Sequence, residues 1–171
     1  MKTRLSIVLL TLALLPLGAQ AGGGKMVVEK NPVVAPSCYG TGFEFGIFGT
    51  GIFPEGDHYD DAFGGGVSLG YFFNERCGLD LGAAWYGTDS EVQNYTLDAV
   101  YRMPINCIAP YVLVGGGVHT NGETEGLFRF GGGVDFRVFD SSSIFADGIY
   151  NLLGGDVDDY AIARVGLRFA F

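Results

Sequence analysis

The 171-residue chain has no lysine after Lys30, six prolines, three cysteines, and beyond its first two dozen residues no apolar run of membrane-helix length. Ten basic residues stand against nineteen acidic ones, for a net charge of −9. That balance leaves no basic footprint and excludes nucleic acid as a partner. Three cysteines in a secreted chain permit oxidation. Scarce proline beside 29 glycines and 14% aromatics argues for short strands and tight turns. The lack of a helical span is neutral toward a membrane barrel, because a bilayer also admits closed sheets with strands of ~9–11 residues.

The one long apolar run stands at the start, where Lys2 and Arg4 precede Leu5–Leu17 and then Ala19, Gln20 and Ala21. This is the pattern of a secretory signal peptide over residues 1–21, with cleavage expected after Ala21. The run, about 13 residues against the ~20 a helix needs, is too short to span a bilayer. No cysteine follows the cut, so a lipid anchor is not expected. Losing Lys2 and Arg4 takes the net charge from −9 to −11. Residues 22–38, rich in glycine and valine with two prolines, lack a period and are read as a periplasmic linker; residues 39–171 form one domain.

That domain alternates with period two. Its last segment places Ala161, Ala163, Val165, Leu167, Phe169 and Phe171 on one face and Arg164, Gly166 and Arg168 on the other. Turn-like clusters divide it into eight segments: 39–50, 62–73, 77–87, 94–103, 110–120, 127–138, 143–153 and 160–171. Every segment has one apolar face, with aromatics such as Phe43, Tyr71, Trp85, Tyr101 and Phe128 toward the ends and Val, Leu and Ala between. Aromatic girdles around an aliphatic band suit the two lipid interfaces.

The opposite faces carry Glu44, Asp80, Asp98, Asp135 and Asp147 with Arg102, Arg129, Arg137, Arg164 and Arg168. Buried charges must pair, and five acids against five arginines can do so inside a closed sheet. If the last segment meets the first, Arg164 and Arg168 fall between Asp147 and Glu44. The competing reading, a soluble lipocalin-like barrel with its charges in water, fits arginine-only mid-strand positions less well. The expected architecture is all-β: a closed, eight-stranded, antiparallel, up-and-down transmembrane barrel, monomeric, with a side-chain-filled lumen. With both termini in the periplasm, the outer loops fall at 51–61, 88–93, 121–126 and 154–159. They hold eleven acids: Glu55, Asp57, Asp60, Asp61, Asp89, Glu91, Glu123, Glu125, Asp156, Asp158 and Asp159.

Segment count, polar inner face, aromatic girdles and terminal Phe171 together resemble the small eight-stranded outer-membrane barrels of the OmpA/OmpX-like superfamily. The resemblance implies residence in the outer membrane among lipid and lipopolysaccharide. It also implies that Phe169 and Phe171 belong to the signal read by the barrel-assembly machinery.

Remaining motifs carry little chemistry. Gly-Gly-Gly-Val at 64–67, 115–118 and 131–134 lacks the helix, lysine and hydroxyl of a phosphate loop. It suits close strand approach instead. A lipid-acylating site would need His58 or His119 to converge with an acid and a hydroxyl such as Ser68 or Ser90; His119 is instead expected to pair with a loop carboxylate, and no enzymatic activity, cofactor or catalytic residue is assigned. The acidic runs lack calcium-loop spacing, and no metal site is assigned, yet beside anionic lipid they are expected to attract divalent cations weakly. Cys38, Cys77 and Cys107 all map to the periplasmic end, and a Cys77–Cys107 bond is expected with Cys38 free; Cys38–Cys77, or three thiols, are the alternatives. The expected role is structural or surface-interactive, with a narrow porin-like channel as the alternative and a lipid-modifying enzyme behind it.

Overall fold

Period-two alternation is realised as eight strands in a computed structural model that describes residues 37–54, 62–87, 91–121, 123–154 and 159–171. They are β1 Gly42–Pro54, β2 Ala62–Phe72, β3 Cys77–Gly87, β4 Glu91–Arg102, β5 Ile108–Asn121, β6 Glu123–Phe139, β7 Ser142–Leu153 and β8 Tyr160–Ala170. Each strand pairs antiparallel with its predecessor, and β8 pairs with β1 from Glu44↔Ala170 to Pro54↔Tyr160, closing the barrel. Closure leaves no strand edge unpaired, which hydrocarbon requires. The signal segment, the linker up to residue 36 and loop residues 55–61, 88–90, 122 and 155–158, His58 and Ser90 among them, lie outside the described residues.

Several boundaries differ from the sequence reading: β1 runs on to Pro54, β4 begins at Glu91 and β5 at Ile108. The first strand begins at Gly42 rather than at residue 39, because Tyr39 leaves the wall for the lumen. The expected outer loop 121–126 is largely strand, since β5 and β6 stay paired through Thr120↔Thr124 to Asn121↔Glu123. β-branched threonines facing each other favour that extension.

Alternation decides which face is greasy. Leu81, Leu97 and Leu167 point outward, 57%, 53% and 41% exposed, which excludes the soluble-barrel alternative. All ten charged side chains named above point inward; nine are buried, and Arg137 is partly so. At the end of the barrel carrying both termini, Phe43 packs on Tyr71 (4.8 Å between ring centroids) and on Phe171 (6.0 Å), and Tyr71 meets Phe73 edge-on at 5.3 Å. Phe128, Phe130 and Tyr150 form a second outward aromatic group on β6 and β7.

The same end has short turns with local causes. Asn74 Oδ1 accepts from the Arg76 and Cys77 amides at 2.8 and 2.9 Å, a side-chain turn that reverses the chain in four residues. Between β4 and β5 the amide of Ile105 donates to the Ile108 carbonyl at 2.7 Å, and Asn106 takes a positive φ of 57°, tolerable for asparagine.

Candidate functional site

Inward side chains fill the lumen in three layers. Nearest the termini, Glu44 of β1 accepts two hydrogen bonds from fully buried Arg102 of β4, one at 3.0 Å, and one from Arg137 of β6 at 3.2 Å. Asp135 of β6 takes Arg168 of β8 at 2.6 Å and lies 3.4 Å from Arg102. These pairs cross the barrel rather than run along one strand. Arg102 also stacks 3.6 Å from the ring centre of Phe72, and Arg168 lies 4.2 Å from that of Phe145. Aromatic faces thus take up guanidinium surface that would otherwise be bare in a dry lumen.

In the middle layer Asp147 of β7 receives Arg164 of β8 through two bonds, 2.9 and 2.7 Å, and the Tyr111 hydroxyl at 2.6 Å. Arg129 and Asp98 approach to 3.3 Å as an ion pair without hydrogen-bond alignment. Asp80 lies opposite Asp98 on the neighbouring strand and interacts through space with Arg164 and Arg168. Between Phe48, Asn94, Thr96, Arg129 and Arg164 a void of about 10 Å³ remains, room for one water at most.

The layer toward the loops is polar but uncharged at its centre. Asn94 donates to the Tyr160 hydroxyl at 2.8 Å and its Oδ1 faces His119 Nδ1 at 2.8 Å. His119 therefore partners an amide on adjacent β4, not the loop carboxylate expected from sequence. Strand pairing places it there, opposite Asn94.

Arg164 meets Asp147 as anticipated from strand order, whereas Arg168 bonds Asp135 while Glu44 goes to Arg102 and Arg137. The reason is reach: long guanidinium arms cross an eight-stranded lumen and need not choose a partner on the next strand. Sequence reasoning missed the apolar part of the filling. Phe48, Phe72, Tyr111, Leu113, Phe145, Ile149 and Ile162 form one buried cluster with the inner aliphatics. The signal was present in β7, where Ser143, Phe145, Asp147, Ile149 and Asn151 alternate inward and mix both characters on one face.

The mouth at the termini is closed by residues that precede β1. Tyr39 is buried beneath Arg102 and Arg137, 5.3 and 4.9 Å from its ring centre, and donates to the Asp135 carbonyl at 2.7 Å, with the Cys107 carbonyl at 3.2 Å. Burial first, and the Asp135 carboxylate second, push its hydroxyl above the ordinary phenol value, so it remains a neutral donor. The expected Cys77–Cys107 bond is not formed and Cys38 is not free: Cys38 is bonded to Cys107, with Cα atoms 4.9 Å apart. Cys77 is exposed. It shares the outward parity of Leu79 and Leu81 on β3, so its sulfur faces away from the mouth while Tyr39 draws Cys38 across it.

Residues 7–171 match the outer membrane protein beta-barrel domain family. The chain belongs to that family. Three solved structures share the family's barrel shape. The N-terminal β-barrel domain of Pseudomonas aeruginosa OprF is 21% identical with a TM-score of 0.57, over 75% of this chain and 97% of that one. Neisserial surface protein A gives 16% and 0.61 over 77% and 98%. Ail, the attachment invasion locus protein of Yersinia pestis, gives 20% and 0.54 over 78% and 99%. At these identities the likeness is one of fold. No curated protein matches the sequence. Family and fold together make this an outer-membrane barrel.

Proposed function

We propose that the protein is a non-conducting, non-enzymatic barrel that serves the outer membrane structurally and presents an acidic outer rim for interaction, the first 21 residues being removed on export. The observation that carries this reading is the filled lumen: guanidinium and carboxylate groups joined across the barrel, aromatic rings between them, and Tyr39 in the mouth. A solute path would require breaking several buried ion pairs at once, each costing several kcal/mol when one partner is left alone. Planar-bilayer recording of the purified chain is expected to show no stable unitary current; a reproducible conductance would establish the narrow-channel alternative.

The outer rim sets the kind of partner. Ail has been crystallised with the heparin analogue sucrose octasulfate, a polyanion. Eleven acids in the loops and strand ends of that rim repel such a ligand and favour divalent cations shared with lipopolysaccharide phosphates. Phe169 and Phe171 serve as the assembly signal at the end of β8. Replacing Phe171 with Ser is expected to lower the amount inserted by the cellular assembly machinery and to leave refolding into detergent unchanged; equal insertion of both forms in cells would count against that role.

A further inference from the structure

We propose that Ser37–Thr41 is a redox-latched stopper of the periplasmic mouth, released when a dithiol reduces the Cys38–Cys107 bond. In a ring of eight strands β1 lies diametrically opposite β5. A bond from Cys38, just before β1, to Cys107, in the β4–β5 turn, therefore draws this segment across the opening. Besides the bond, the segment is held by the Cys38 amide on the Asn106 carbonyl at 3.2 Å and by Tyr39, which donates to the Asp135 and Cys107 carbonyls beneath Arg102 and Arg137. Behind Tyr39, Gly40 has no neighbour within 4 Å of a would-be Cβ, and Gly42, where β1 begins, holds a φ of +135°. Glycine adopts such φ values without steric cost.

The bond is also reachable. Both cysteines are partly exposed, and Cys38 lines a cavity of about 280 Å³ at the rim together with Gly40, Thr41, Arg137 and Asp140. In the reaction, one thiolate of the dithiol attacks a sulfur of the bridge and forms a mixed disulfide. Its second thiolate then displaces the protein thiolate. Two electrons and two protons pass to Cys38 and Cys107, and the dithiol leaves as a disulfide. With the latch open, Tyr39 can withdraw and expose Arg102, Arg137 and Glu44 to the periplasm.

Hydrogen exchange read by mass spectrometry on the full mature chain in phosphatidylcholine nanodiscs, before and after dithiothreitol, tests this. Iodoacetamide is expected to label only Cys77 before reduction and all three cysteines after it. Amides of residues 38–41 are expected to exchange at least about tenfold faster once reduced, with strand amides unchanged, as for a local opening. C77S is expected to take no label before reduction and to be labelled at Cys38 and Cys107 after it, with the same change in exchange. Labelling of all three cysteines without reduction overturns the proposal. So does unchanged protection of 38–41 after full alkylation, or an equal rise throughout β4–β6. Conductance of the reduced sample is a separate readout: current there would overturn the filled-lumen reading and leave the latch standing.

Discussion

Arg164 and Asp147 show what a single residue does in this lumen. The guanidinium makes two hydrogen bonds to the carboxylate and lies 4.9 Å from the ring centre of Phe48. Removing only the cation leaves Asp147 buried with Tyr111 as its sole donor of a hydrogen bond among the described residues, and leaves Asp98 to Arg129 and Asp80 to Arg168. Arg164→Met is expected to lower stability by about 3–5 kcal/mol, the usual cost of orphaning a buried charge. The double replacement with Asp147→Leu is expected to cost less than the single one, since no charge is then stranded at that site. Urea unfolding in lipid vesicles decides between them; a double variant weaker than the single one would mean the pair is a net source of stability. Inward parity of all ten charges was legible from alternation alone. Their pairing was not, because a side chain that crosses a barrel selects its partner by distance, which chain order does not encode.

At the scale of the strand, glycine sets how closely neighbours approach. A Cβ built on Gly133 of β6 would stand 2.8 Å from the Asp147 Cα on β7 and closer still to the Ala146 carbonyl. Backbone must move to admit it. Gly148, one residue along β7 and facing outward, has nothing within 4 Å. Gly133→Ala is expected to destabilise by about 1–3 kcal/mol, as overpacking does, and Gly148→Ala to stay within about 0.5 kcal/mol of the parent. The shift of the heat-modified gel band with temperature measures both; equal loss at the two sites would place the cost in strand propensity rather than in close approach. The glycine triplets thus read correctly as strand interior. The β5–β6 hairpin did not, because Glu123, Thr124 and Glu125 suit a solvated loop and a strand end equally, and only the partner strand opposite them selects the latter.

For the whole molecule, charge is divided between rims. Short turns with exposed Ile105 and Phe139 close the terminal end, while eleven of the nineteen acids fall in the segments expected at the outer rim, Glu91, Glu123 and Glu125 of them within strand ends. In bilayers containing lipopolysaccharide, chelation of divalent cations is expected to lower the melting temperature. In neutral phosphatidylcholine it is expected to have no effect, since no lipid phosphate layer of net negative charge is present to be bridged. A melting temperature indifferent to chelator in both would remove cation bridging from the account. Alternation, aromatic placement and inner acids balanced by arginines were enough to specify a closed membrane barrel with its greasy face outward, because each strand carries that pattern locally and hydrocarbon accepts no open sheet. Which acid meets which arginine, the entry of Tyr39 into the mouth and the choice of Cys38 over Cys77 as the partner of Cys107 arise only on closure. They depend on which residues the ring sets across from one another, and that distance exists nowhere in the linear chain.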